Sequence, residues 1–221
     1  MPAYNEEGYI EECFNRVVRT LERYGRTFEV VLEEDGSTDR TPEIIDRLAR
    51  QHRFVKALHH PRRIGKGWGI QQGLRAAQGD VIVLIDSDGE YPPEKIPELI
   101  DLIDGATIVL GERRSLVRRH PIRVLLSLLY ARFVNLFFGV DLPGDIQAGL
   151  KVFPSAVIDV MLPLRSNGFE IDSEMILKAF SNGFKVVSVP VGYTYKGRSK
   201  VNIVLDSIRI LLSLLMWKIA S

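Results

Sequence analysis

The alternation of apolar runs and amphipathic segments in the first half of the chain is the feature that most constrains its fold. Phe28–Leu32 and Asp80–Ile85 are short apolar runs of the kind that form strands buried on both faces. Between such runs lie segments with helical periodicity, such as residues 10–24, where Ile10 and Phe14 fall on one face. This βαβ rhythm predicts an α/β fold with a Rossmann-like, mostly parallel sheet covered by helices.

The predicted elements continue through a less regular second half. Strands are predicted at residues 28–32, 54–59, 80–85, 107–110, 150–153 and 185–191. Helices are predicted at about residues 10–24, 40–51, 66–77, 93–103, 120–138, 170–181 and 202–219. The pattern predicts one domain over residues 1–200, followed by an apolar helix within residues 201–221.

Composition excludes several classes of protein. With 221 residues, of which 46% are hydrophobic and 26% charged, the chain can bury a sizeable core without a disulfide or metal staple. Its single cysteine, Cys13, excludes an internal disulfide framework, and its four histidines form no zinc motif with that cysteine. The net charge of +1 argues against a nucleic-acid partner held by bulk positive charge. No apolar run reaches the roughly 18–20 residues that a membrane-spanning helix needs.

An acidic turn directly follows the predicted strand at residues 80–85. Asp86 and Asp88 stand two residues apart, with Ser87 between them and Glu90 shortly after. In α/β sheets, ligands bind at the carboxyl ends of strands, and carboxylate oxygens suit Mg²⁺ or Mn²⁺. The turn is therefore a candidate metal site with Asp86, Asp88 and Glu90 as ligands. The alternative is an ordinary polar turn, since Asp, Ser and Gly are common turn residues.

A second acidic turn, Glu33–Asp39, follows the strand predicted to end at Leu32. Asp35 could accept hydrogen bonds from a base or a ribose, both of which carry donors. Asp39, further along the turn, is better explained as a cap of the next helix. Capping does not account for Glu34 and Asp35, which stand before the tight turn that Gly36 allows.

Taken together, these segments resemble family 2 glycosyltransferases, above all those that use polyprenyl phosphates, such as dolichol-phosphate mannose and glucose synthases. The matching segments occur in the family's order and cover almost the whole chain. They are residues 2–7 (PAYNEE), 34–41 (EDGSTDRT), 65–67 (GKG), 86–93 (DSDGEYPP), 111–113 (GER), 145–151 (DIQAGLK) and 197–200 (GRSK).

The resemblance implies a GT-A fold, a nucleotide-diphosphate-sugar donor, a Mg²⁺ or Mn²⁺ cofactor and inversion at the anomeric carbon. Several residues take their roles by position in the family's motifs. The donor site would be formed by Pro2, Tyr4, Glu6, Glu34, Asp35 and Ser87, and the metal would be held by Asp86, Asp88 and Glu90. The phosphates of donor or acceptor would be faced by Arg113, Ser199 and Lys200, and the acceptor site would be bordered by Asp145, Gln147 and Lys151. The alternative for Asp145 and Gln147 is the ordinary polarity of a turn. Glu34 departs from the family pattern, in which Asp is usual. A further departure is the lack of an arginine at Tyr193–Tyr195.

The acceptor decides whether the reaction needs a base. A lipid phosphate is already ionised at neutral pH, whereas a sugar hydroxyl must lose its proton. Asp172 and Glu174 are the candidate bases, although both could simply be acids in the first turn of a helix. Three functions stay open: transfer to polyprenyl phosphate, transfer to a saccharide or glycolipid hydroxyl, and nucleotide-sugar binding without catalysis.

Two apolar segments point to a membrane surface. Residues 120–138 are preceded by a cluster of arginines, and the helix predicted at 202–219 has one narrow polar stripe containing Asp206 and Arg209. Basic residues beside an apolar helix suit an anionic lipid surface. We therefore expect peripheral attachment at the cytoplasmic face of a membrane. Burial in the core or against a second subunit is the alternative.

The start of the sequence is unusual for this fold. Residues 2–7 have the character of a ligand-binding loop, and in doubly wound sheets such a loop follows a strand. Only Met1 precedes the loop in this sequence. We therefore expect that the first strand of the sheet lies upstream of Met1 in the natural protein; the alternative is that residues 2–7 are not such a loop.

Overall fold

The structure is a computed structural model that describes residues 1–115 and 121–196. The helix predicted at 202–219, and with it the whole segment 201–221, lies outside the described residues. In chain order the elements are β1 (Pro2–Ala3), α1 (Ile10–Tyr24), β2 (Val30–Glu34), α2 (Thr41–Gln51), β3 (Val55–His59), α3 (Lys66–Ala76), β4 (Val81–Ile85), α4 (Ile96–Ile100), β5 (Thr107–Ser115), α5 (Pro121–Phe138), β6 (Leu150–Pro154), α6 (Ala156–Met161), α7 (Ile171–Ser181) and β7 (Lys185–Tyr193). A 3₁₀ turn, Pro93–Lys95, leads into α4.

The strands form two sheets. The first has the order β1-β2-β3 and is parallel throughout. The second has the order β4-β6-β5-β7, in which β6 runs antiparallel to both of its neighbours and β5 runs parallel to β7. The α/β prediction is confirmed, and the second sheet is mixed rather than purely parallel because β6 is inserted in the opposite direction.

Most elements match their predicted positions, and α1 matches at both ends. Its carboxyl end is set by Gly25, which adopts φ 76° and donates its N–H to the carbonyls of Leu21 and Glu22. Two differences have a physical cause. α6 has six residues, too few to show a helical period, and β5 extends to Ser115 because it pairs with β7, which is distant in sequence.

Helices cover both faces of the second sheet, and β4 shows this most clearly. Ile82 and Leu84 pack into a core shared with α3, β5 and α7, whereas Ile85 packs on the other face with α1 and α4. A separate apolar cluster fills the space between the first sheet and helices α1 and α2. This arrangement leaves the carboxyl ends of the strands as the polar edge of the fold. Among the described residues, no helix is both long enough and apolar enough to cross a bilayer.

One acid is buried inside the first sheet. Glu33 of β2 is 2% exposed, and within the described part of the chain neither of its carboxylate oxygens receives a hydrogen bond. His60 Nε2 lies 3.1 Å from Glu33 Oε1 but not in hydrogen-bonding geometry. Burial, together with the nearby charge of Asp35, raises the pKa of Glu33 to about 8.

This raised pKa makes stability depend on pH. Because the folded state holds the Glu33 proton more tightly than the unfolded state does, its contribution is fully present below about pH 4.5 and is lost as the pH rises towards 8. We expect Glu33→Gln to raise the free energy of unfolding at pH 8 by roughly 2–4 kcal/mol, at about 1.4 kcal/mol per pKa unit, and to change little at pH 4. Urea unfolding between pH 4 and 8 measures this. The matched Glu12→Gln change on the exposed face of α1 should leave the dependence of the unfolding free energy on pH unchanged. If Glu33→Gln shows the same dependence on pH as the unchanged protein, the raised pKa of Glu33 is refuted.

Candidate active site

The loops that follow strands β1 and β2 contact each other. The loop after β1 is tied to the loop after β2: Asn5 N donates to Ser37 Oγ at 2.9 Å, and Asn5 Oδ1 accepts from Thr38 N at 2.8 Å. Glu6 N donates to Thr41 Oγ1 at 2.8 Å, at the start of α2. The predicted donor-site residues Tyr4 and Glu6 are thus held beside the second acidic turn, while Pro2 lies in β1 itself.

The second acidic turn is held rigid by its own carboxylates. Asp35 accepts from the backbone N–H groups of Ile64 at 2.7 Å and Gly65 at 2.9 Å, which fixes the loop between β3 and α3. Glu34 is buried and accepts from Ser37 N, closing the turn. Glu34 and Asp35, which were predicted to bind the nucleotide, therefore fix the backbone that surrounds the site.

A cavity of about 610 Å³ opens beside this turn. Tyr4 and Arg63 form one side, with the Arg63 guanidinium carbon 4.2 Å from the centre of the Tyr4 ring. Arg62, Ser37 and Thr38 also line it. Such a cavity offers an aromatic face, hydroxyls and cations, the groups that bind a base, a ribose and a phosphate. The sequence analysis did not assign Arg62 and Arg63, although two consecutive arginines three residues after the end of a strand were a visible signal.

The first acidic turn lies at the end of β4, as predicted. Asp86 Oδ1 lies 3.1 Å from Lys66 Nζ, and Asp88 Oδ1 accepts from Glu90 N at 2.9 Å. Burial and the adjacent Asp86 carboxylate raise the pKa of Asp88 to about 7. Ser87 is buried, and its hydroxyl has no hydrogen-bond partner among the described residues. Two neighbouring carboxylates that repel each other in a desolvated turn fit a divalent cation as their common partner.

Glu90 makes different contacts from the other two predicted metal ligands, Asp86 and Asp88. Its Oε2 accepts from the Tyr193 hydroxyl and its Oε1 from Lys196 N at 3.1 Å. It therefore ties the end of β7 to the acidic turn. Across residues 1–115 and 121–196, no three His, Cys, Asp or Glu side chains come together in a way that could hold a metal ion. The set of three metal ligands therefore stays a prediction. Asp86 and Asp88 share the acidic turn after β4, whereas Glu90 contacts Tyr193 and Lys196.

Behind Asp86 lies a buried network of alternating charge. Lys66 Nζ contacts Asp172 Oδ2 at 3.3 Å as well as Asp86, and Asp172 Oδ1 lies 2.6 Å from Nζ of the fully buried Lys151. Lys151 also donates to the Ala148 carbonyl. Burial acts to raise the pKa of Asp172, but Lys151 and Lys66 hold that pKa below its usual range.

This network affects the predicted roles of Lys151, as a contact of the acceptor phosphate, and of Asp172, as a base. Lys151 is enclosed and paired with Asp172, so in this structure it does not present its ammonium group to an acceptor phosphate. Asp172 is held as a carboxylate between two cations, which makes it a weak base. Glu174 accepts from Arg165 N at 2.9 Å and Ser166 N at 2.8 Å and lies 3.2 Å from Lys178 Nζ, so it holds the loop before α7.

The remaining predicted residues form the far side of the site. Arg113, near the end of β5, pairs with Asp145, and its guanidinium carbon is 5.7 Å from the centre of the Tyr193 ring. Gln147 is half-buried in the turn that leads into β6. Tyr91 closes this side by accepting the Gly149 N–H at 2.8 Å. Ser199 and Lys200 lie outside the described residues.

The fold and these loops define an α/β domain with a cavity of about 610 Å³ beside the loops after β1, β2 and β3, and an acidic turn at the carboxyl end of β4. The chain belongs to glycosyl transferase family 2, whose family profile matches residues 1–119. This match confirms the family that the motifs indicated.

Relatives and solved structures agree with this assignment. The chain is 34% identical over 214 residues to glycosyltransferase AglD of Haloferax volcanii, covering 93% of this chain and 34% of that protein. It is 30% identical over 220 residues to dolichyl-phosphate beta-glucosyltransferase ALG5C of Trichomonas vaginalis, covering 92% of this chain and 65% of that one. The chain therefore spans between about a third and two thirds of these relatives.

A solved structure supports the fold. Glucosyl-3-phosphoglycerate synthase from Mycobacterium tuberculosis, in complex with Mn²⁺ and uridine-diphosphate-glucose, superposes with a TM-score of 0.73 at 22% identity, over 96% of this chain and 76% of that one. With the family match, this likeness confirms the predicted GT-A fold.

The buried charge network predicts a large effect on stability. Asp172→Asn leaves Lys151 enclosed without its anion, and removing one partner of a buried pair costs about 3–5 kcal/mol. Replacing both partners, as Asp172→Asn with Lys151→Met, should recover part of that loss. Urea unfolding checks both variants. Asp159→Asn on the exposed side of α6 is the control. If Asp172→Asn unfolds at the same urea concentration as that control, the network does not contribute to the stability of the fold.

Proposed function

We propose that this chain is the catalytic domain of a metal-dependent, inverting glycosyltransferase. It moves one sugar from a nucleotide-diphosphate-sugar to a polyprenyl phosphate of the dolichyl type. The observation that carries the proposal is that the loop before α3 touches both acidic turns: Asp35 accepts from Gly65 N, and the next residue, Lys66, contacts Asp86. Supporting it, a relative that covers most of this chain is named as a dolichyl-phosphate glucosyltransferase.

The donor spans the two acidic turns in this proposal. The base and ribose lie in the cavity beside Tyr4 and Arg63, and the diphosphate extends towards Asp86. Asp86 and Asp88 would hold Mg²⁺ or Mn²⁺, which would neutralise the charge that develops on the nucleoside diphosphate leaving group. Lys66, 3.1 Å from Asp86, adds a second positive charge at the same place.

The charge pattern favours a phosphate acceptor over a hydroxyl. The predicted bases are engaged, Asp172 by two lysines and Glu174 by backbone N–H groups, so neither is poised to remove a proton. A lipid phosphate needs no such base. Arg113, whose pKa stays above its ordinary value despite burial because Tyr91 and Asp145 are close, supplies a permanent cation on the acceptor side.

Attachment to a membrane surface is part of the proposal. Helix α5 presents large apolar side chains to solvent, with Leu129 54% and Leu136 87% exposed. A helix with exposed apolar residues and neighbouring arginines suits the headgroup boundary of the cytoplasmic leaflet. The acceptor phosphate of a membrane lipid lies at that boundary.

Donor binding tests the role of the acidic turn. We expect Asp86→Ala and Asp88→Ala each to abolish the Mn²⁺-dependent part of UDP- or GDP-sugar binding, since each removes a ligand of the metal. Isothermal titration calorimetry with and without Mn²⁺ measures this part. Glu12→Ala on the exposed face of α1 should bind as the unchanged protein does. If both Asp variants keep the full Mn²⁺-dependent affinity for the donor, the acidic turn does not hold the metal.

The transfer reaction tests the acceptor. The full-length protein, with Mg²⁺ or Mn²⁺, should transfer sugar from one of the common GDP- or UDP-sugars to polyprenyl phosphate in phospholipid vesicles. The matched polyprenol, which lacks the phosphate, should accept none. Transfer to saccharide hydroxyls alone would favour the hydroxyl-acceptor enzyme, and donor binding without any turnover would favour a binding protein; either result overturns the proposal.

A further inference from the structure

Gly149 lies directly against the Asp86 carboxylate, in the turn that leads into β6. Its carbonyl accepts from Asp86 N at 2.9 Å, which continues the antiparallel pairing of β4 with β6 by one residue. Its own N–H donates to the hydroxyl of Tyr91 at 2.8 Å, and Tyr91 is buried. The backbone of Gly149 is therefore fixed on one side by the acidic turn and on the other by a buried ring.

The space where a side chain would stand at residue 149 is already occupied. A Cβ atom there would lie 2.8 Å from Asp86 Cγ and 2.8 Å from Tyr91 Cε2, and closer still to Asp86 Oδ2. These separations are well inside the roughly 3.5–4.0 Å at which nonbonded carbon atoms pack. Gly149 does not have a positive φ, so this position needs glycine because of the close approach and not because of the backbone conformation.

The Asp86 carboxylate is confined between Gly149 and an ammonium group. Lys66 Nζ lies 3.1 Å from Asp86 Oδ1 and 3.4 Å from Oδ2, and the same Nζ is retained by Asp172 at 3.3 Å. A side chain at residue 149 would therefore displace one of its two neighbours. Tyr91 is 3% exposed, whereas the Asp86 side chain is 24% exposed, so the carboxylate is the group with room to move.

We propose that Gly149 is a positioning residue for the proposed metal site: its bare Cα atom lets the Asp86 carboxylate take the orientation in which it would bind the divalent cation. This inference rests on the proposed function, in which Asp86 and Asp88 hold Mg²⁺ or Mn²⁺. Gly149 follows four residues after Asp145, the partner of Arg113, so one turn supports both the metal ligand and the cation on the acceptor side.

Mn²⁺ binding by the full-length protein tests the role of Gly149. We expect Gly149→Ala to lower the affinity for Mn²⁺ at least about tenfold, the loss that is usual when a group that orients a metal ligand is changed. Electron paramagnetic resonance, which measures free Mn²⁺, gives this affinity. Gly73→Ala on α3 is the matched control, since a Cβ atom there meets nothing within 4 Å.

Donor binding separates positioning from a general loss of structure. Calorimetry with UDP and GDP should show that Gly149→Ala keeps the Mn²⁺-independent part of nucleotide binding, because the cavity beside Tyr4 and Arg63 is built by other loops. An equal loss of the Mn²⁺-dependent and Mn²⁺-independent parts would overturn the proposal, since it would show that Gly149 only supports the fold.

Tyr91→Phe is the second variant and takes the place of Gly149→Ala if that protein does not fold. It removes the hydroxyl that accepts the Gly149 N–H and keeps the ring, so it should also weaken Mn²⁺ binding. Tyr24→Phe, which removes a hydroxyl that contacts Asp101 at the surface, should not. If the unchanged protein binds Mn²⁺ and both variants bind it equally well, this inference alone is overturned. If the unchanged protein binds no Mn²⁺, the proposed metal site is overturned together with it.

Discussion

The carboxylate of Asp172 is the contact on which the rest of the site depends. It accepts from Lys66 at the start of α3 and from Lys151 of β6, and Lys66 in turn contacts Asp86 after β4. One buried anion thereby links α7, α3 and two segments of the second sheet. Because enclosed charges are stable only when paired, these elements are held at a fixed separation, and the acidic turn is held with them.

The opposite side of the site is organised by a different kind of contact. There, Asp35 and Asn5 hold three loops together through backbone N–H groups. Such contacts fix the shape of the cavity while leaving the Tyr4 ring and the Arg63 guanidinium to face a ligand. The cavity side of the site is thus preorganised by hydrogen bonds to backbone N–H groups, and the side around Asp86 is preorganised by charge pairs.

Much of this was predictable because the signals are local. The run before Asp86 is apolar and β-branched, so both the strand and the acidic turn at its end could be predicted from adjacent residues. The pairing of Lys151 with Asp172 could not, since 21 residues separate them and only the packing of α7 against β6 brings them together. The same holds for Glu90, which nothing in its local sequence connects to Tyr193.

The sequence by itself determined the α/β class, the order of most elements, the family and the two acidic turns, because each depends on residues close together in the chain. Only the tertiary structure decided which acids are available to a ligand and which are enclosed. It paired Asp172 and Lys151 and directed Glu90 towards β7. These outcomes depend on long-range packing and on the cost of burying charge, and neither is recorded in any local pattern of residues.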